Sequence, residues 1–185
     1  MDNPGQSPDE IFDVYTEDGL PVGTARRADV HARGLWHRSA QIWIVRSDRS
    51  LLLQKRSSHK DVFPDCWDVS CAGHVDAGEE PLAAAVRELC EELGLSIRPE
   101  RLQPLFTLRK SFTFGALQDN EINHVFLLRL EDAEIPAPAP GEISELRWID
   151  AAALPGVAEE DPDHFVPHGV HYQMASRSIC QLIIT

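Results

Sequence analysis

Two short apolar runs open the pattern, residues 41–46 (QIWIVR) and 51–55 (LLLQK). The polar turn Ser47-Asp48-Arg49-Ser50 separates them, which predicts a pair of strands. Residues 11–26 predict a hairpin turning at Glu17-Asp18-Gly19, since Asp-Gly supplies the backbone conformation of a tight turn. Residues 67–71 predict a short strand. Residues 105–114 and 121–130 predict another pair, connected through Gly115 and Asp119-Asn120, and residues 143–149 a further strand. The run Ile135-Pro136-Ala137-Pro138-Ala139-Pro140-Gly141 reads as a stiff connector with no ladder of its own, too short to separate domains. The period changes between residues 81 and 93, where Ala, Leu, Glu and Arg predict a helix with proline in its first turn and Gly94 at its end. At about 100° per residue Leu82, Val86, Leu89 and Leu93 form one stripe, expected to face the core. Residues 172–183 predict a closing helix, and residues 1–9 are polar and expected to be disordered.

Composition narrows the class. A chain of 185 residues suits one domain with a substantial core, and 43% hydrophobic with 25% charged residues is ordinary for a globular protein. The net charge of −13 argues against duplex nucleic acid or an anionic membrane as the main partner. No apolar run approaches the roughly 20 residues of a membrane span, and residues 1–10 lack signal-peptide character. Cys66, Cys71, Cys90 and Cys180 form neither a zinc-type pair nor a disulfide framework, so a reducing cytoplasm is expected.

The chemistry concentrates in residues 73–95, GHVDAGEEPLAAAVRELCEELGL. Gly73, Glu79, Arg87-Glu88-Leu89, Glu91-Glu92 and Gly94-Leu95 stand at fixed spacing, a combination expected by chance on the order of one time in a million or less. Glu88, Glu91 and Glu92 fall on one side of the helix, nearly opposite the apolar stripe, and like charges three and four residues apart repel. A hard cation with oxygen ligands, Mg²⁺ or Mn²⁺, relieves that repulsion. The plain alternative is a solvated acidic face, against which Glu79, Arg87 and the flanking glycines weigh.

This segment resembles the Nudix box, G-x5-E-x7-R-E-U-x-E-E-x-G-U with U aliphatic, and matches every defined position. The resemblance covers most of the chain. It implies a single α/β domain over residues 1–185, a Nudix α/β/α sandwich with a mixed β-sheet, here with an N-terminal β-hairpin extension over residues 11–34. It further implies hydrolysis of a nucleoside diphosphate or related diphosphate, with a small-molecule substrate and a monomer or homodimer as the working unit. Carried over by position, Glu88, Glu91 and Glu92 hold Mg²⁺ (Mn²⁺ possible) with the Gly73 carbonyl as a further ligand. Arg87 orients the carboxylates and Glu79 ties the loop to the helix.

A second resemblance, to isopentenyl-diphosphate isomerases, rests on HARGLWHRSAQIWIV, LLLQKRSSHKDVFPDCWDVSCAGH and DNEINHVF. It implies that Arg56 and Lys60 grip a diphosphate, and that His37, His74 and Glu121 match a deeper metal site. His31 stands one residue out of register with that site's third histidine. The isomerases carry a catalytic cysteine directly before the box glycine, where this chain has Ala72. Cys71, one place earlier in a strand, points to the other face and cannot substitute. The isomerases also lack the full acidic set of Glu88, Glu91 and Glu92.

The residues present fit in-line attack of an activated water on phosphorus more than proton shuttling across a double bond. Glu121 is the first candidate for general base, with Glu88 next and Glu142 or Glu145 behind. Arg56 and Lys60 are expected on the leaving phosphate, with ordinary surface cations as the plain reading. His37 and His74 read equally as structural histidines, and His31 alone reads as structural. Trp36, Trp43, Trp67 and Trp148 are expected in core or wall. His164, His168 and His171 are expected in a solvated loop. Three functions remain: a metal-dependent diphosphate hydrolase, an isoprenoid-diphosphate isomerase and a catalytically silent nucleotide-binding module.

Overall fold

The computed structural model describes residues 7–60, 62–115, 117–131 and 133–183, with the side chain of residue 183 set aside. The expectation that residues 1–9 are disordered falls mostly outside them; residues 7–9 enter a turn in which Ser7 N donates to Glu10 Oε1 (3.1 Å).

The N-terminal hairpin forms as expected from β1 (Ile11–Tyr15) and β2 (Pro21–Arg26), closed by the Gly19 turn. Residues 27–33 depart from the expectation of hairpin alone: they form a short helix, α1 (Arg27–Arg33), ended by Gly34 in the left-handed region. Its only buried residue is Val30, too little apolar signal for a periodicity to register.

Strand β3 (Trp36–Val45) is the spine of the molecule and starts five residues earlier than its apolar run. It runs parallel to β8 (Leu117–Arg129) over its whole length, antiparallel to β6 (Cys71–His74) at residues 39–42, and touches β1 and β4 (Ser50–Arg56) only at its ends. The expected pair of β3 and β4 is therefore a hairpin only at Val45–Leu51; beyond it β4 leaves to pair with β9 (Ile143–Asp150). The expected strand at 67–71 splits into β5 (Trp67–Asp68), on β4, and β6, on β3. Ser70 sits at the break, donating to Leu52 O (2.6 Å) and accepting from Ile44 N (2.8 Å), so one hydroxyl bridges the two strand pairs. β7 (Leu102–Phe114) and β8 form a longer hairpin than expected. Asp119 and Asn120 are not its turn but ladder residues opposite Phe112 and Ser111, and Glu121 lies mid-strand rather than at a strand start.

Alternate residues of β3 feed two cores. Ile42 and Ile44 pack with Leu52, Phe126 and Leu128 under helix α2 (Pro81–Leu93). Trp43 and Val45 pack with Leu51, Leu53, Val125 and Leu127 under α4 (Val170–Ile183), helped by α3 (Leu154–Glu160). A mixed sheet covered by helices on both faces is an α/β/α sandwich. α2 presents Ala84, Ala85, Leu89 and Leu93 to the sheet. Of the expected stripe, Leu89, Leu93 and the partly buried Val86 pack on the core, while Leu82 is 36% exposed and Glu92 is buried. Glu92 thus shares the buried face of the helix with Ala85 and Leu89.

The connector carries no strand, and its two alanines do the bonding. Ala137 N donates to Leu93 O (2.8 Å) and Ala139 N to Glu92 O (2.8 Å), supplying donors to carbonyls at the end of α2 that have no partner within the helix. Gly94, at φ 64°, turns the chain out of the helix beside it.

Candidate active site

The β6–α2 loop and α2 form one wall of a cleft of about 590 Å³, and β4, β5, β7 and β8 form the others. Arg87 organises the first wall. Its guanidinium forks onto Glu79 (Nε to Oε1, 3.2 Å; Nη2 to Oε2, 2.9 Å) and donates to Glu88 Oε1 (2.6 Å), Glu91 Oε2 (3.2 Å) and the His74 carbonyl (3.0 Å). A planar fork with five donors is the side chain that can serve so many acceptors together. Gly73 lies beneath Glu88, where any β-carbon would overlap its carboxylate.

The three acids differ in surroundings. Glu91 is exposed, at 59% of its side chain, while Glu88 and Glu92 are largely buried. Burial, then the charge of Glu92, pushes the Glu88 carboxyl up to about 8. Burial also raises Glu92, against the pull of Lys60, whose Nζ is 4.0 Å away, and its Oε2 has no partner. Among the described residues these three do not draw their oxygens together to metal-ligand spacing; the sets within 4.8 Å of one another are His31, His37 and His74, and His37, Asp119 and Glu121. Arg87 holds Glu88 and Glu91 on one side, and Lys60 draws Glu92 to the other.

Together these two sets unite residues from four elements, α1, β3, β6 and β8. His31 enters from α1, so its one-residue offset is taken up by a helix, and Asp119 is a member that its turn-like Asp-Asn context hid. His37 Nδ1 is 3.1 Å from the Leu35 carbonyl, which only accepts, so Nδ1 carries the proton and Nε2 keeps a lone pair. That bare Nε2 faces Asp119 Oδ1 at 3.5 Å, with His31 Nε2 at 3.9 Å from the same oxygen, and none of the three atoms has a hydrogen bond. Burial, then the charge of Glu121, raises Asp119 to about 8; burial, then His37, lowers His31 to about 4. Burial lowers His37, and it holds His74 well below the usual histidine range, with Arg27 adding to the effect. Converging ligand-type nitrogen and oxygen atoms with no hydrogen bond among them fit a cation. Arg27, another residue the sequence did not single out, donates to His74 Nδ1 (3.2 Å) and Glu10 Oε2 (3.1 Å).

On the far wall Arg56 donates to Asp68 Oδ2 (3.0 Å) and to the Val62 carbonyl (3.0 Å), while Lys60 is bonded to Glu142. Both cations line the cleft, and each is already paired. Glu121 keeps Oε2 on Asn123 Nδ2 (2.9 Å) and has Oε1 4.0 Å from His74 Nε2. Glu142 lines the cleft and Glu145, on β9 opposite Lys55, does not. Cys71 is buried in the core under α2 while Ala72 lines the cleft, and burial, then Glu92, holds the thiol well above the usual range.

The C-terminal histidines correct the expectation of a solvated loop. His164 is exposed, but His168 and His171 are buried under the cleft. Trp43 Nε1 approaches His171 Nε2 (3.4 Å), and His168 Nε2 lies 2.6 Å from Asp68 Oδ1. Trp43 and Trp67 are core, Trp148 packs against the core half-buried, and Trp36 is half-buried.

An acidic helix and a row of cations facing each other across one cleft, on an α/β/α sandwich, define the class. The profile of the NUDIX domain matches residues 35–169, and the chain belongs to this family of hydrolases, which act on small-molecule diphosphates with divalent metals. An uncharacterized Nudix hydrolase of Clostridium acetobutylicum is 34% identical over 194 residues, covering 89% of this chain and 93% of the relative. Nudix hydrolase 3 of Arabidopsis thaliana is 34% identical over 171 residues, 88% of this chain but 22% of that longer protein. Isopentenyl-diphosphate Delta-isomerase 2 of Photorhabdus laumondii is 31% identical over 176 residues, covering 89% and 94%. Among solved structures, DR0079 of Deinococcus radiodurans superposes with a TM-score of 0.67 at 25% identity over 91% of this chain and 99% of that one. Among the described residues no helix is long and apolar enough to cross a membrane.

Proposed function

We propose that this protein hydrolyses the diphosphate linkage of a nucleoside diphosphate or a related X-linked diphosphate, with Mg²⁺ or Mn²⁺ held by Glu88, Glu91, Glu92 and the Gly73 carbonyl. The observation that carries the reading is the buried acid pair Glu88 and Glu92: burial raises both proton affinities, the charge of Glu92 raises Glu88 further, and Glu92 Oε2 has no hydrogen-bond partner. Oxygen donors under such repulsion suit a hard divalent cation. Bound there, the cation would neutralise phosphate charge and favour in-line attack on phosphorus.

The protein's own groups do the rest. Arg87 keeps Glu88 and Glu91 aimed from the helix while Glu79 braces Arg87. Lys60, between Glu142 and Glu92, and Arg56, on Asp68, hold the leaving phosphate from the opposite wall. Glu121 takes the proton of the attacking water: Asn123 fixes one of its oxygens and leaves the other toward the cleft. A second cation site comprises His37, His74 and Glu121, with His31 and Asp119. Four free cysteines accord with a reducing cytoplasm.

That histidine cluster and the relatives named as isomerases favour a second reading, double-bond migration in an isoprenoid diphosphate. Ala72 at the cleft and Cys71 in the core speak against it. The test is a panel of nucleoside diphosphates, dinucleotides, sugar nucleotides and isopentenyl diphosphate with Mg²⁺, scored for phosphate release. Release that collapses in Glu92→Gln is expected. Release that persists in that variant, or migration of a double bond without release, sinks the proposal.

A further inference from the structure

Five cations line the cleft: Arg27, Arg56, Lys60, Arg87 and Lys110. Four of them sit on carboxylates, namely Glu10, Asp68, Glu142 and the Glu79–Glu88–Glu91 group. Lys110 does not. It stands opposite Glu121 in the β7–β8 register, yet among the described residues it makes no ion pair within 4 Å. Its ammonium lies instead 2.9 Å from His168 Nδ1 and 4.9 Å from the centre of the Phe112 ring.

The proton positions along this chain of contacts follow from the partners. Asp68 is ionised: burial opposes its charge, but His168 and then Arg56 outweigh burial and hold the carboxyl below the usual range. A carboxylate only accepts, so His168 Nε2, 2.6 Å from Asp68 Oδ1, carries the hydrogen. His168 is buried, which keeps the ring neutral and leaves Nδ1 as an acceptor for Lys110. One of three ammonium donors is thereby used, and the ring fixes where the other two point. Asp68 also receives Arg56 on its second oxygen, so one buried carboxylate sets two cations on the same wall, one directly and one through an imidazole. Two oriented cations with donors to spare, facing an acidic helix across the cleft, match a phosphoryl group whose other oxygens meet a divalent cation.

We propose that Lys110 is a substrate-binding residue that donates to a phosphoryl oxygen of the diphosphate beside Arg56, and that His168 and Asp68 are positioning residues for its ammonium. This rests on the reading of the cleft as a diphosphate site. It adds Lys110 to Arg56 and Lys60 in the cationic half of that site, a residue the polypeptide brings to the cleft from a position far along the chain.

The probe is imidodiphosphate, a non-hydrolysable diphosphate, titrated with Mg²⁺ into the full chain by calorimetry. Lys110→Met is expected to weaken binding by about tenfold or more, the loss of one charge-assisted pair, and Lys110→Arg to keep it within about threefold. Lys110→Gln makes the same comparison should the Met variant fail to fold. For the positioning role, His168→Leu should weaken binding as Lys110→Met does, and the double variant should be no weaker than either single one. His168→Gln, which retains an acceptor for Lys110 and a donor for Asp68, should restore it. Binding unchanged in Lys110→Met while Glu92→Gln abolishes it overturns this proposal and leaves the hydrolase reading intact. Additive losses in the double variant overturn the positioning role. A wild-type chain that takes up no imidodiphosphate with Mg²⁺ overturns both readings.

Discussion

Gly73 and Glu88 are in such close apposition that a β-carbon at position 73 would overlap Cδ and both oxygens of the Glu88 carboxylate. The glycine is required by space, since what it meets is a side chain from the next element. Gly73→Ala would push aside the mobile end of a glutamate rather than the backbone. The melting temperature is expected to stay within about 3 °C of wild type, while metal-dependent turnover falls about a hundredfold, the usual consequence of a carboxylate moved by an ångström. Normal turnover in Gly73→Ala would show that the placement of Glu88 is not critical.

Helix α2 gives a stability prediction that separates its real buried face from the one its periodicity suggests. Leu89 is fully buried in the core, so Leu89→Ala should cost about 2–5 kcal/mol in urea unfolding. Leu82, at 36% exposure, should cost less than about 1 kcal/mol when truncated to Ala. Equal costs would mean that the helix is rotated from the orientation described.

The Asp68 carboxylate carries a pH signature. Its folded-state pKa lies below the unfolded value of about 3.9, so its stabilising effect is fully present above that value and is lost as pH falls toward the folded pKa. Asp68→Asn should therefore be less stable than wild type at pH 7 by about 3 kcal/mol, the scale for breaking a buried pair. The gap should narrow at pH 3, measured by urea unfolding at both values. A gap that is constant with pH would mean that the ionised carboxylate is not what holds Arg56 and His168.

The histidine cluster predicts the metal stoichiometry. Titrated with Mn²⁺ and followed by electron paramagnetic resonance, the wild-type chain should take up two ions. His37→Ala should retain only the one that Glu92→Gln removes. One ion in wild type, insensitive to His37→Ala, would leave the convergence of His31, His37 and Asp119 without a ligand.

What could be read in advance, and what could not, divides along physical lines. β4, β9, α2 and the core half of β3 announce themselves because burial on one or two faces writes apolar periods into the chain. The first half of β3 was silent because His37 and Ser39 are buried polar residues, and they break the apolar run that marks a strand. Asp119 looked like a turn residue for the same reason. The box was legible because its members lie within one loop and helix. Lys110, His168 and Asp68 were not, since their contacts join positions 58 and 100 residues apart, a relation no local pattern records.

The proline-alanine connector has a last consequence. Prolines at 136, 138 and 140 have no amide hydrogen, so between residues 136 and 140 only Ala137 and Ala139 can donate, and both donors are spent on the end of α2. The strap therefore works like a two-toothed key with a single seating. Inserting one residue in it would offer blank teeth to Glu92 and Leu93, unlatching the end of the helix that carries the acids while leaving every residue of the helix itself unchanged.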